Sequence, residues 1–116
     1  MDATSRTDSV PVKVDPDTST VWLYGQATGA RKALVTQHLA ALLSEGRDDI
    51  TVDLTGATGL SNALLDVFAA IACLMEPPRR LIVHAPASLG IAQRLSARLP
   101  KPDSPSLALR LTVLER

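Results

Sequence analysis

Ser61, Asp66 and His84 occur in the chain order of one hydrolase triad. Gly59-Leu60-Ser61-Asn62-Ala63 approaches the G-x-S-x-G elbow, in which a serine on a sharp strand-to-helix turn presents its hydroxyl to a histidine base. The fifth position is Ala rather than Gly, which crowds such a turn. No HGGG-type segment supplies an oxyanion hole, and 116 residues are few for that fold. Hydrolysis is therefore not expected, and no catalytic residue is assigned. A phosphate-binding loop fares no better. The P-loop needs a Lys after its glycines, and none stands near Thr55, Gly56, Thr58 and Gly59. The Rossmann G-x-G-x-x-G spacing is absent too. Backbone N–H groups at the start of the following helix remain available to an anion, but residues of this kind also build ordinary strand-to-helix turns. Two isolated histidines and no carboxylate cluster make no metal site, so neither a metal nor another cofactor is expected.

The plainest reading of Ser61-Asn62 is a helix cap, one of the two accepting a hydrogen bond from the first free backbone N–H groups. Capping does not explain the helix that follows. From Ala63 to Met75 only Asp66 is charged, and an outer face of mostly Ala with some Leu, Val or Met results. A helix resting on a sheet ordinarily carries a polar outer stripe. A small-residue, weakly polar surface suits docking to another protein. The alternative is a helix buried deeper within the domain.

The elements that must position this junction follow from composition and period. Hydrophobic residues make up 46% of the chain and aromatics 3%, so the core has to be aliphatic. With 12 basic and 12 acidic residues the formal net charge is zero, which argues against nucleic acid as a partner. The densest basic pair, Arg79-Arg80, reads as a solvated turn before a strand. Cys73 is the single cysteine, so no internal disulfide forms, and its apolar surroundings predict a small buried core residue. The N-terminus is polar, without the apolar segment of a signal peptide. The apolar run 63–75 is too short to cross a bilayer and contains Asp66. A cytoplasmic protein without membrane insertion is expected: residues 1–9 as a disordered tail and 10–116 as one domain.

Val10 to Val14 alternates apolar and polar residues as a half-buried strand does, with Pro11 placing it at an edge or making it short. Asp15-Pro16-Asp17-Thr18 has turn chemistry, and Thr20 to Tyr24 completes an antiparallel hairpin. Thr28 is placed to cap a first helix from Ala30, whose apolar face is Leu34, Val35, Leu39, Leu42 and Leu43; Gly46 ends it as a C-cap. His38 falls at the boundary of that face. Ile50 to Leu54 is a strand, Ala63 to Met75 a helix stopped by Pro77-Pro78, and Leu81-Ile82-Val83 a short central strand expected to be buried on both faces. Ser88 is placed to cap a third helix with Leu89, Ala92, Leu95 and Leu99 inward. After a loop over 101–106, Leu107, Leu109, Leu111 and Val113 alternate through a last strand. The order β-β-α-β-α-β-α-β predicts an α/β fold: a small mixed sheet with an N-terminal antiparallel hairpin and right-handed β-α-β crossovers.

This order and the junction together resemble the STAS domain, the family of bacterial anti-sigma factor antagonists. TVWLYGQAT is similar to the family's second strand running into its first helix. ITVDLTGATGLSNALLDVFAAI is similar to its central strand, loop and leucine-rich helix. RRLIVHAPAS resembles the next strand and turn, and SLGIAQRLSARL the third helix. The likeness extends over nearly the whole chain after Val10. In that family the loop usually carries Asp-Ser, and the serine is phosphorylated by a partner kinase that is also the anti-sigma factor. In register with Asp53-Leu54-Thr55-Gly56, the family's Asp falls on Ser61 and its phosphoserine on Asn62; the next two positions, commonly small, are Ala63 and Leu64.

The resemblance implies a non-catalytic regulatory module that binds a kinase-type anti-sigma factor. The contact surface would be Thr58, Gly59, Leu60, Ser61 and Asn62 with Ala63, Asp66 and Ala70 on the helix. Phosphorylation adds roughly −1.5 to −2 charge, enough to break an interface at a helix start. Asn62 cannot acquire it, so the usual switch is expected to be lost, with Ser61 as the candidate displaced phosphoacceptor. A homodimer is compatible with this reading. The alternative is a STAS-like cytoplasmic subunit of a membrane transporter complex.

Overall fold

The computed structural model describes residues 12–76, 78–96 and 111–115. The strands are β1 (Val12–Asp15), β2 (Thr20–Leu23), β3 (Gly25–Ala27), β4 (Ile50–Asp53), β5 (Ala57–Leu60), β6 (Leu81–Ala85) and β7 (Leu111–Glu115). The α-helices are α1 (Lys32–Glu45), α2 (Asn62–Leu74) and α3 (Ile91–Ser96), with single 3₁₀ turns at Gly29–Arg31 and Ala87–Leu89. Expectations for the tail before Val10, for Val10 and Pro11 at the start of the first strand, and for Pro77, Leu99, the loop 101–106, Leu107 and Leu109 fall outside the described residues.

The fold is α/β, as the element order predicts. Its main sheet has five strands in the order β1-β2-β4-β6-β7. β1 and β2 form the antiparallel hairpin, and β2-β4, β4-β6 and β6-β7 are parallel. Asp15 opens the hairpin turn by accepting from the Asp17 N–H at 3.0 Å. Ser19 closes it in the left-handed region at φ 50°.

The side chains of β2, β4 and β6 alternate between buried and half-buried. Val12, Val21, Leu23, Ile50, Val52, Leu81, Val83 and Ala85 are buried in one cluster with Val35, Leu39 and Leu42 of α1. Leu64, Leu65, Phe68, Ile71 and Ala72 of α2, and Ile91 and Leu95 of α3, belong to the same cluster. All three helices thus pack on one face of the sheet. β6 is therefore not buried on both faces: Ile82 and His84 are half-buried on the opposite side. Among the described residues, no helix is long and apolar enough to cross a membrane.

Several local expectations change. Two short strands, β3 and β5, form a separate parallel pair that no apolar alternation announces. Gly29–Arg31 takes a 3₁₀ turn, so α1 starts at Lys32, and Thr28 precedes that turn without a side-chain capping bond. Leu34 faces outward, 42% exposed. Ser88 lies inside a 3₁₀ turn, and α3 starts only at Ile91. Cys73 is exposed rather than buried.

Gly46 does end α1, but with φ −99° and ψ 173°, an extended conformation open to any residue. The glycine serves by its size: a Cβ there would stand 3.0 Å from the Leu42 carbonyl and 3.5 Å from an Arg79 guanidinium nitrogen. Arg79 is no solvated turn residue. Its guanidinium donates to the carbonyls of Leu43 (2.8 Å), Leu42 (2.9 Å) and Asp48 (2.7 Å). A cation thereby satisfies acceptors at the negative end of α1.

Candidate functional site

The loop between β4 and α2 is shaped by the β3–β5 pair. Gly25 pairs with Ala57, Gln26 with Gly59 and Ala27 with Leu60, with a register shift between Gly25 and Gln26. The Tyr24 ring lies over Gly56, where a Cβ would meet its Cδ1 at 2.6 Å, and the Gln26 side chain lies across Gly59. A side chain at position 56 would displace the Tyr24 ring, whereas one at position 59 would displace only the flexible end of Gln26. The carbonyls of Tyr24, just before β3, and of Gln26 within it accept from Arg31 Nη1 at 3.2 and 2.7 Å. The pair ends where the Ser61 N–H donates to the Ala27 carbonyl at 2.9 Å.

Ser61 is extended, and its carbonyl accepts the first helical bonds from Leu64 (3.2 Å) and Leu65 (3.3 Å). It is the N-cap residue by backbone position only. Its Oγ is buried without a hydrogen-bond partner, and no side-chain capping bond forms. The cap expected of Ser61 or Asn62 is therefore not made. Gly29 stands over this point: a Cβ there would make ordinary contact with Ala63 Cβ at 3.6 Å and Ser61 Oγ at 4.0 Å.

Asn62, the first residue of α2, is exposed. Its Oδ1 accepts from Arg94 Nη2 at 3.0 Å. The same nitrogen donates to the Leu60 carbonyl at 2.6 Å, and Nη1 donates to the Leu89 carbonyl at 3.4 Å. Arg94, on α3, thus ties the end of β5, the start of α2 and the turn before α3 together. Sequence reasoning missed it, because nothing local marks a residue 32 positions away as the partner of Asn62.

The remaining expected site residues divide by exposure. Thr58 is exposed on β5, Gly59 is half-buried under Gln26, and Leu60 is buried in the core. Along α2, Asn62, Asp66 and Ala70 are exposed, with Cys73 and Leu74 continuing the same stripe one turn on and Ala63 half-buried at its margin. Leu74 is 65% exposed. The helix is thus not wrapped on all sides. Its inner face carries Leu64, Leu65, Phe68, Ile71 and Ala72, and its outer face is small, weakly polar and open.

The hydrolase geometry is not assembled, since the Ser61 hydroxyl bonds to nothing. His84 stands beside Asp53 across the β4–β6 pair. The two line a cavity of about 210 Å³ with Thr55, Ala85 and Leu114. There the Asp53 carboxylate accepts from the Thr55 N–H (2.9 Å) and hydroxyl (2.6 Å), so that hydroxyl is engaged. Among the described residues, no group of three or more His, Cys, Asp and Glu converges on one point. Comparison of the chain with protein-family models, with curated proteins and with solved structures gives no match.

Proposed function

We propose that this protein is a non-catalytic, STAS-like regulatory module of the anti-sigma factor antagonist kind. It binds a kinase-type anti-sigma factor through the loop 58–62 and the outer face of α2, and the phosphoserine switch at that loop is lost. The observation that carries this reading is the exposed stripe Asn62, Asp66, Ala70 and Leu74 on an otherwise core-packed helix. At its head stands an uncharged amide where the resembling family has its phosphoserine. The hydroxyl next to it, on Ser61, is buried, which keeps it from a kinase in this conformation.

The experiment is incubation with a purified kinase-type anti-sigma factor and ATP, followed by intact-mass measurement and titration calorimetry. The expected result is binding with no gain of phosphate. Stoichiometric phosphate on Ser61 or Thr58 contradicts the lost switch, and no heat of binding at micromolar concentrations contradicts the assigned partner.

A further inference from the structure

We infer that Arg94 is a positioning residue for this contact surface: it fixes the Asn62 side chain with its oxygen inward and its amide nitrogen outward, so that position 62 offers hydrogen-bond donors and is met by an acceptor of the partner, a carboxylate or a carbonyl. The inference rests on the reading of the loop and the α2 outer face as a protein-binding surface.

A guanidinium has donors only, so the branch of the Asn62 amide that faces Arg94 at 3.0 Å has to be Oδ1. The other branch, Nδ2 with its two hydrogens, is then the outward polar group of an exposed residue. Arg94 is well held for the task. It is half-buried, its Nη2 is anchored on the Leu60 carbonyl at 2.6 Å, and its helix is fixed in the core by Ile91 and Leu95. A planar fork with several anchors loses little freedom on gripping one more oxygen. Without Arg94 the amide is free to turn either branch outward, and the polarity of the surface is undefined.

Aspartate at position 62 discriminates sharply. It has nearly the shape of asparagine but two oxygens, so one still faces Arg94 while the outward donor becomes an acceptor. Its orientation no longer matters.

The first arm of the test needs no partner. In the ¹⁵N-labelled full chain, the Asn62 side-chain amide should give a pair of signals displaced from the position of a free amide, while its outward hydrogens exchange freely with solvent. Arg94→Gln should move that pair to the position of a free amide, while the core signals of Phe68 stay in place. Arg94→Lys, which keeps a cation but loses the fork, should have an intermediate effect and serves as the second variant if Arg94→Gln does not fold. Unmoved Asn62 signals in both variants overturn the inference.

The second arm measures binding to the kinase-type anti-sigma factor. Asn62→Asp should weaken it about tenfold, the scale of one interfacial hydrogen bond, and Arg94→Gln somewhat less. The double variant should bind no worse than Asn62→Asp alone. Additive losses overturn the positioning role while leaving the α2 surface standing. Failure of the wild-type chain to bind sinks the functional reading instead, and the first arm still decides what Arg94 does.

Discussion

Ser61 and Asn62 are neighbours on the chain but have opposite surroundings. The Ser61 hydroxyl is buried and unbonded, and the Asn62 amide is exposed and gripped by Arg94. A capping serine and an unpaired buried one respond oppositely to substitution. Loss of a cap costs about 1 kcal/mol, whereas removal of a buried hydroxyl that bonds to nothing is neutral or favourable. Ser61→Ala should therefore leave stability unchanged or raise it by up to about 1 kcal/mol, read from urea denaturation. A loss of that size would restore the capping role. Asn62→Asp should also be tolerated by the isolated protein, because a carboxylate at the start of a helix and beside a guanidinium gains roughly 0.3–1 kcal/mol. Thermal unfolding at neutral pH checks it. None of this polarity was legible in the sequence. Gly59-Leu60-Ser61-Asn62-Ala63 shows that a turn meets a helix, but which hydroxyl goes inward depends on Ala27 and Gly29, some 30 positions earlier.

At the scale of elements, what could be read had a period. Both long helices, the hairpin, β4 and β6 follow from apolar spacing, and the aliphatic core they share is the one that composition demands. What escaped was short or non-local. β3 (GQA) and β5 (ATGL) have three and four residues, with glycine in each and no apolar alternation. They exist because their backbones pair with each other and because Arg31 takes the carbonyls of Tyr24 and Gln26 on the other side of the chain. The grip of Arg79 on α1 is equally invisible, since it reaches across 31 to 37 positions. Arg79→Ala should cost about 2–3 kcal/mol by stranding half-buried carbonyls, and Arg79→Lys should restore only part of that, a point charge being no fork. Denaturant midpoints of the two variants decide the matter. Equal stability of Ala and Lys variants would mean that the carbonyls are satisfied by water instead.

For the whole molecule, one sheet face carries all three helices, and α2 divides into a core side and an open side. This division separates stability from binding. Phe68, fully buried on the inner side, should cost about 3–5 kcal/mol when cut to Ala. Ala70, exposed on the outer side, should accept a large charged residue without loss of stability. The most direct measurement is therefore the affinity of Ala70→Arg for the kinase-type anti-sigma factor, by titration calorimetry beside a melting curve of the variant. The expected result is a melting temperature like that of the wild type and an affinity at least tenfold lower, because an arginine is forced into a surface that accommodates a methyl group. Wild-type affinity in a folded Ala70→Arg variant would contradict it and remove the α2 outer face from the interface.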